Sequence, residues 1–266
     1  MTIAVDLIED ELNKINDKSI SRAQRKKLRK QKYQQKKQLI DILTVNPKTA
    51  NQEKAFDAFD SGNNLLLHGV AGTGKTFISL YLALDDIFNG DDLKRTVTIV
   101  RSVVPTRDMG FLPGKESEKT AVYEQPYQAI CKEITNRGDG YEVLKQRGIV
   151  RFTTTSYIRG ITLDNSIIVV DECQNMTFHE LDSIITRVGE NTRIIFSGDF
   201  RQTDLNRSYD QSGIKEFMNI LKQINGFSSV EFDYNDIVRS GLVKEYIMAK
   251  DNKYEEKTPL HYNTAG

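Results

Sequence analysis

Gly-Val-Ala-Gly-Thr-Gly-Lys-Thr at residues 69–76 is a complete phosphate-binding loop, called the phosphate loop below, and it decides the fold. Apolar residues Leu65–Leu67 precede the loop and a helical pattern from Thr76 to Phe88 follows it, so the strand–loop–helix context of the motif is present. Glycine lets the backbone curl until consecutive N–H groups converge on one anion, and the next helix adds the positive end of its dipole. The stretch therefore predicts that the chain binds a nucleoside triphosphate.

Each position of the loop is expected to contact the nucleotide: Gly69, Val70, Ala71, Gly72, Thr73, Gly74, Lys75 and Thr76. Lys75 is expected to reach the terminal phosphates and to act in catalysis. The Thr76 hydroxyl is expected to bind Mg²⁺, so a nucleotide and Mg²⁺ are the predicted cofactors.

The composition is that of a globular chain without a membrane segment. The mean hydropathy is −0.48 over 266 residues, and no apolar run approaches the ~18 residues that a membrane span needs. Acidic residues near the N-terminus argue against a secretory leader. The two cysteines, Cys131 and Cys173, lack metal-ligand spacing, which favours a reducing cytoplasm.

Charge is distributed unevenly along the chain. Residues 21–37, called the basic stretch below, contain nine Lys or Arg residues and no acid, although the whole chain has 37 basic and 37 acidic residues. Such a block is typical of an arm that contacts phosphate backbones, and the alternative is a solvated tail without a partner. We expect residues 1–47 to form a basic helical extension, residues 48–254 an ATPase domain, and residues 255–266 a flexible tail.

Strand and helix patterns alternate after the extension. Six short apolar, β-branched runs are expected to be strands: Leu65–Leu67, Val97–Val100, Val150–Thr154, Ile167–Val170, Ile194–Phe196 and Val230–Phe232. Helical patterns lie between several of them, and one of these begins with a capping box formed by Thr177 and Glu180. The fold class predicted is α/β, a mostly parallel sheet flanked by helices.

A second group of functional residues follows the run Ile167–Val170, which ends in Asp171-Glu172. The carboxyl end of a parallel strand lies at the edge of the sheet where the phosphate loop also lies. We expect Asp171 to hold Mg²⁺, usually through water, and Glu172 to orient and deprotonate the attacking water. An acidic pair that merely ends a strand is the structural alternative.

Two glutamines complete the predicted site. Gln202, in the segment 198–202 after the next strand, is placed to sense the terminal phosphate through a bound water. Gln52 precedes the first strand, and its amide can donate to and accept from an adenine edge at once, which would select ATP.

Together these motifs resemble the ATPase core of superfamily 1 helicases, and further segments resemble the PhoH family of P-loop ATPases. The segments are Arg101–Pro105, Met109–Lys115, Tyr157–Gly160, Asp171–Asn175, Thr186–Gly189 and Asp236–Arg239. The resemblance spans roughly residues 48–250 and implies a single RecA-like domain, ATP hydrolysis and an RNA-linked role in a bacterium or a phage. Ser102, Ile161 and Cys173 depart from the family pattern, and none of them touches the phosphate chemistry.

One RecA-like domain leaves the nucleotide without the arginine that a second domain donates in superfamily 1 helicases. An arginine supplied across a subunit interface can stabilise the charge of the transition state, so we expect a head-to-tail ring, a hexamer. Arg239 is the leading candidate for this arginine, followed by Arg187 and Arg159. Each could equally be a surface or structural residue.

Nucleic-acid contacts are expected from Arg107, Phe111 and Lys115, which follow the second predicted strand, and from Arg159. An aromatic side chain among cations suits stacking on single-stranded bases, although Phe111 could instead pack in the core.

Three functions follow in order. The first is an ATPase that binds or moves single-stranded nucleic acid, RNA favoured over DNA. The second is an ATP-dependent switch that acts on protein partners, and the third, a small-metabolite kinase, is disfavoured because Glu172 suits the activation of water.

Overall fold

The predicted strands form one parallel sheet. The structure, a computed structural model, describes residues 40–89, 95–102, 116–199 and 208–255, and only the backbone of residues 116–120, 208–212 and 252–255. The strands are β1 (Asn64–Gly69), β2 (Thr96–Arg101), β3 (Val150–Thr154), β4 (Ser166–Asp171), β5 (Arg193–Gly198) and β6 (Phe227–Phe232). Their order is β3-β2-β4-β5-β1-β6, and every neighbouring pair is parallel. All six predicted strands are confirmed.

Helices connect the strands. They are α1 (Ala50–Asp60), α2 (Lys75–Asn89), α3 (Glu116–Thr135), α4 (Gly140–Gln146), α5 (Phe178–Ile185), α6 (Ser208–Leu221) and α7 (Gly241–Glu255). Single 3₁₀ turns occupy Thr155–Tyr157, Cys173–Asn175 and Tyr234–Asp236. The predicted capping box is confirmed, because the Thr177 hydroxyl accepts from the Glu180 N–H and the Glu180 carboxylate accepts from the Thr177 N–H at 2.9 Å.

Two apolar cores lie on opposite faces of the sheet. Successive side chains of a strand point to opposite faces, so Leu65 and Leu67 enter one core and Leu66 the other. The first core contains α2, which is buried on nearly all sides, as its apolar sequence predicts. The second core is covered by α5 and α6. All six residues of β4 are buried, as expected for a central strand of a parallel sheet.

The strand order determines where the functional residues meet. β5 separates β1 from β4, and all three strands run in the same direction. Gly69 at the end of β1 and Asp171 at the end of β4 therefore lie at the same edge of the sheet. This arrangement confirms the expected α/β, RecA-like fold class.

Part of the predicted N-terminal extension packs on the domain. Ile40 is buried in the first core, the Leu43 N–H donates to the Ile134 carbonyl at 2.8 Å, and the Val45 N–H donates to the Tyr81 hydroxyl at 3.1 Å. The apolar residues that follow the basic stretch supply these contacts, so residues 40–47 belong with the domain rather than with an appendage. Several predictions concern residues outside the described ranges: residues 1–39 with the basic stretch, Arg107, Phe111, Lys115, Gln202 and residues 256–266.

Candidate nucleotide-hydrolysis site

The phosphate loop connects β1 to α2 through three glycines with positive φ. The φ angles of Gly69, Gly72 and Gly74 are 119°, 76° and 86°. The Val70 N–H donates to the Phe232 carbonyl at 3.0 Å, so the end of β6 supports the start of the loop. A Cβ added to Gly69 would lie 2.0 Å from that same carbonyl oxygen. Only glycine fits this close approach of two backbones.

Lys75 is the first residue of α2, and its side chain turns back over the loop. Its ammonium group donates to the Gly69 carbonyl at 3.0 Å and to the Val70 carbonyl at 2.7 Å. Only 8% of Lys75 is exposed. The charge therefore lies inside the curve of the loop, where the predicted phosphates would bind.

Asp171 is held by one hydrogen bond to each carboxylate oxygen. The Thr76 hydroxyl donates to Oδ1 at 2.8 Å, and the Tyr127 hydroxyl donates to Oδ2 at 2.9 Å. Burial and, next, the neighbouring Glu172 carboxylate raise the pKa of Asp171, while the two hydroxyls and Arg101 act to lower it.

A hydroxyl and a carboxylate at this spacing are hard oxygen ligands of the kind that Mg²⁺ prefers, so Thr76 and Asp171 fit the predicted metal. Over the described ranges no group of three or more His, Cys, Asp or Glu side chains could hold a metal ion by itself. Mg²⁺ characteristically binds through one or two protein ligands together with phosphate oxygens and water, which agrees with this small donor set.

Glu172 is oriented by its backbone and by Gln174. Its φ of 52° and ψ of 39° place it in the left-handed region, which is uncommon for a residue other than glycine. The Gln174 Nε2 donates to Glu172 Oε2, and Gln174 Oε1 accepts from the Asp199 N–H at 3.1 Å. Gln174 therefore links the predicted general base to the segment that follows β5. The predicted sensor Gln202 belongs to that segment but lies outside the described residues.

Gln52 lies next to the phosphate loop, as a nucleotide-binding residue must. It is 5% exposed, its Nε2 donates to the Thr73 carbonyl at 3.0 Å, and its Oε1 accepts from the Lys48 N–H at 2.8 Å. The amide thus joins the start of α1 to the loop. Contact with adenine stays a prediction, and it would add to these two hydrogen bonds or replace them.

The segment Asp236–Arg239 lies against the other side of the loop. The Val238 N–H donates to the Gly72 carbonyl at 3.1 Å, and a Cβ added to Gly72 would lie 3.1 Å from Arg239 Cγ. Asp236 anchors the segment by accepting from Asn51 Nδ2 at 2.7 Å. Burial acts to raise the pKa of Asp236, but hydrogen bonds from Asn51, Thr49 and the Asp233 backbone lower it overall. Arg239 is exposed and lies beside the phosphate loop of its own chain.

The other two candidate arginines lie elsewhere. Arg159 is exposed and follows the 3₁₀ turn at the end of β3, an edge strand of the described sheet. Arg187 follows the C-terminal end of α5, at the opposite end of that helix from Glu172. Of the three, only Arg239 is brought to the phosphate loop within one chain.

Tyr127, Gln174 and Asn51 were not predicted as site residues. Tyr127 is fully buried in α3, where the sequence pattern predicts a core residue. A buried tyrosine hydroxyl usually has a hydrogen-bond partner, which was the one available signal, but the sequence does not identify Asp171 as that partner.

The phosphate loop and the Asp171-Glu172 pair face each other across the end of β5, so the fold and site define a P-loop NTPase. The family model described as "PhoH-like protein" matches residues 44–251. The PhoH-like protein of Bacillus subtilis (strain 168) is 32% identical over 210 residues, which are 79% of this chain and 65% of that protein. Protein PhoH of Escherichia coli (strain K12) is 31% identical over 210 residues, 79% of this chain and 59% of that protein. The chain belongs to the PhoH family.

The chain spans less than two thirds of the length of these curated relatives. Among solved structures, it is similar to a large terminase from the thermophilic bacteriophage D6E in complex with ADP, with a TM-score of 0.47, 13% identity and coverage of 75% of this chain and 49% of that one. It is also similar to the Pif1 helicase from Candida albicans, with a TM-score of 0.37, 15% identity and coverage of 82% and 46%. These distant similarities carry no conclusion about function. Within the described part of the chain, no helix is both long and apolar enough to span a membrane.

Proposed function

We propose that this chain is a cytoplasmic, Mg²⁺-dependent ATPase that couples hydrolysis to the binding or remodelling of single-stranded nucleic acid, most favourably RNA. The observation that carries hydrolysis is the position of Glu172, which follows the metal-binding Asp171 and is oriented by Gln174. A carboxylate there can take a proton from water, so water rather than a substrate alcohol is the expected nucleophile.

Each part of the site has one task in this reaction. Lys75 and the loop N–H groups bind the phosphates of ATP, and Thr76 with Asp171 would hold Mg²⁺. The metal supplies a Lewis acid that neutralises charge on the phosphates. Gln52 would select adenine from its place beside Thr73.

Arg239 is proposed to stabilise charge on the terminal phosphate of the nucleotide bound in its own chain. The contact of its side chain with Gly72 and the bond from Val238 to the loop support this role. Transfer across a subunit interface is therefore not needed to bring Arg239 to the site. If a neighbouring subunit also contributes an arginine, Arg159 has the more suitable position, because it lies at the opposite edge of the described sheet from β6.

Nucleic-acid binding is supported by charge and by exposed aromatic surface. The basic stretch supplies nine cations, and Arg107, Phe111 and Lys115 precede α3 in the sequence. Arg159 stands two residues from Tyr157, whose exposed fraction is 57%. Exposed aromatic rings beside cations bind single strands by stacking on bases while the cations contact phosphates.

Steady-state ATP turnover with and without single-stranded RNA or DNA tests this function. We expect stimulation by several-fold, with RNA the stronger activator, and a steep loss of the effect with added salt because phosphate contacts release counterions. Glu172→Gln serves as the blank. Turnover that ignores both polymers would contradict the proposal and favour the alternative, an ATP-dependent switch acting on protein partners.

We also propose that the chain assembles head to tail into a ring, a hexamer. Such an interface joins two different patches of each subunit. One candidate, the α7 patch, comprises Leu242, Val243 and Tyr246, whose exposed fractions are 79%, 40% and 67%. The other, the β3 patch, comprises Tyr157 and Ile161. The α7 patch adjoins the phosphate loop, because Ile247 of the same helix lies beside Gly72, whereas the β3 patch is at the far edge of the described sheet.

The double substitution Leu242→Glu with Tyr246→Glu should convert the assembly to monomers, because charges placed on an apolar interface must lose their water. Light scattering on the eluted protein measures the mass. Ile220→Glu with Ile224→Glu is the matched control, since these residues near the end of α6 are exposed by 40% and 41%. A wild-type chain that is a monomer at full ATP turnover would contradict the ring, and equal dissociation of both variants would contradict the assignment of the α7 patch.

A further inference from the structure

We propose that Tyr127 is a positioning residue for the metal site, and that its hydroxyl fixes the Asp171 carboxylate and connects it to α3. The proposal rests on the Mg²⁺-dependent ATPase proposed above. Its main observation is the Tyr127 hydroxyl, which donates to Asp171 Oδ2 at 2.9 Å in a fully buried environment.

The two hydrogen bonds to Asp171 have different fates when a metal binds. Thr76 donates to Oδ1, but Thr76 is itself an expected metal ligand, so its hydroxyl would also face the ion. Tyr127 is not expected to contact the ion, and its bond to Oδ2 can persist. Residues that hold a metal-binding carboxylate from behind set its orientation and thereby its affinity for the metal.

The phenol of Tyr127 is itself held in place. Its ring packs against Phe152 of β3 with ring centroids 5.8 Å apart, and it belongs to the first core. Burial and, next, the Asp171 carboxylate raise the pKa of Tyr127 well above its usual value, although Arg101 acts in the opposite direction. The hydroxyl therefore keeps its proton near neutral pH and remains a donor to Asp171.

Tyr127 also connects the metal site to a second region of the chain. It lies on α3, which begins at Glu116, directly after the residues that contain Arg107, Phe111 and Lys115. At the other end of the same segment, the last residue of β2, Arg101, pairs in register with Asp171. The helix that follows the candidate nucleic-acid residues is thus hydrogen-bonded to the metal-binding carboxylate. A displacement of α3 would change the orientation of Asp171.

Tyr127→Phe tests the proposal because it removes the hydroxyl and leaves the ring. The measurement is the affinity for a fluorescent ADP analogue as Mg²⁺ is titrated, which needs no turnover. We expect the Mg²⁺ concentration at half-saturation to rise by about 10-fold, the lower end of what outer-shell substitutions do at metal sites. Binding of the analogue without Mg²⁺ should not change, since the phosphate loop keeps its contacts.

Tyr141→Phe is the matched control. Tyr141 is also buried, on α4, but its hydroxyl donates at 2.6 Å to Glu124 and not to Asp171. This variant should keep the wild-type Mg²⁺ dependence, and thermal unfolding of both variants reports any general loss of packing. An unchanged Mg²⁺ dependence in Tyr127→Phe, or the same increase in Tyr141→Phe, would overturn the positioning role. Nucleotide binding that ignores Mg²⁺ in the wild-type chain would instead overturn the proposed metal-dependent ATPase, and the positioning role with it.

Discussion

Glu172→Gln is expected to bind ATP as tightly as the wild-type chain and to hydrolyse it at least about 100-fold more slowly, since a positioned general base contributes roughly 10²–10⁴-fold to a rate. The substitution exchanges one carboxylate oxygen for an amide group and leaves the shape of the side chain unchanged. The remaining carbonyl oxygen can still accept the hydrogen bond from Gln174, so the orientation seen in the structure is retained. Only the capacity to accept a proton from water is lost.

Two measurements separate binding from hydrolysis in this variant. Phosphate release gives the turnover, and equilibrium titration with a fluorescent ATP analogue gives the affinity. Glu190→Gln is a suitable control because Glu190 is an exposed acid on the connection between α5 and β5. Normal turnover in Glu172→Gln would refute the assignment of the general base. A parallel loss of binding would show that Glu172 acts in the ground state, where it would contribute affinity rather than catalysis.

The sheet was predictable because its strands are short apolar runs bounded by turn-forming residues. β4 illustrates this, since Ile167–Val170 could only be a buried strand and its end had to carry Asp171 to the edge of the sheet that holds the phosphate loop. Motif spacing thus gave the chemistry of the site as well as its place in the fold.

Contacts between residues far apart in the sequence were not predictable. Tyr127 and Asp171 are separated by 44 residues and Asn51 and Asp236 by 185, and no local pattern encodes either pair. Arg239 shows the same difficulty. Its motif marked it as functional, but only the hydrogen bond from Val238 to Gly72 shows which phosphate loop it lies beside.

The extension boundary failed for a different reason. The basic stretch ends in a short apolar segment that begins at Leu39, and charge drew attention away from it. Ile40 and Val45 are spaced too irregularly to indicate a helix or a strand, and residues 41–47 have neither. Their burial depends on α2 and α3, which the sequence places later in the chain.

Gly69→Ala is expected to destabilise the fold more than any other single-methyl addition in the phosphate loop, by about 3 kcal/mol, combining the cost of an unfavourable φ with that of overpacking. The added Cβ would lie 2.0 Å from the Phe232 carbonyl oxygen, and this contact is with backbone. Relief therefore requires β6 to move away from β1, which would break the bond from Val70 to Phe232 as well.

Gly72→Ala provides the comparison that isolates the backbone clash. Gly72 also has a positive φ, of 76°, but its added Cβ would meet the side chains of Arg239 at 3.1 Å and Ile247 at 3.3 Å. Side-chain ends can shift, so only the backbone strain remains, about 1 kcal/mol for an alanine in the left-handed region. Urea unfolding of both variants measures the difference. Equal midpoints would mean that β6 can separate from β1 at little cost, and the end of β6 would then not be the support that fixes the phosphate loop.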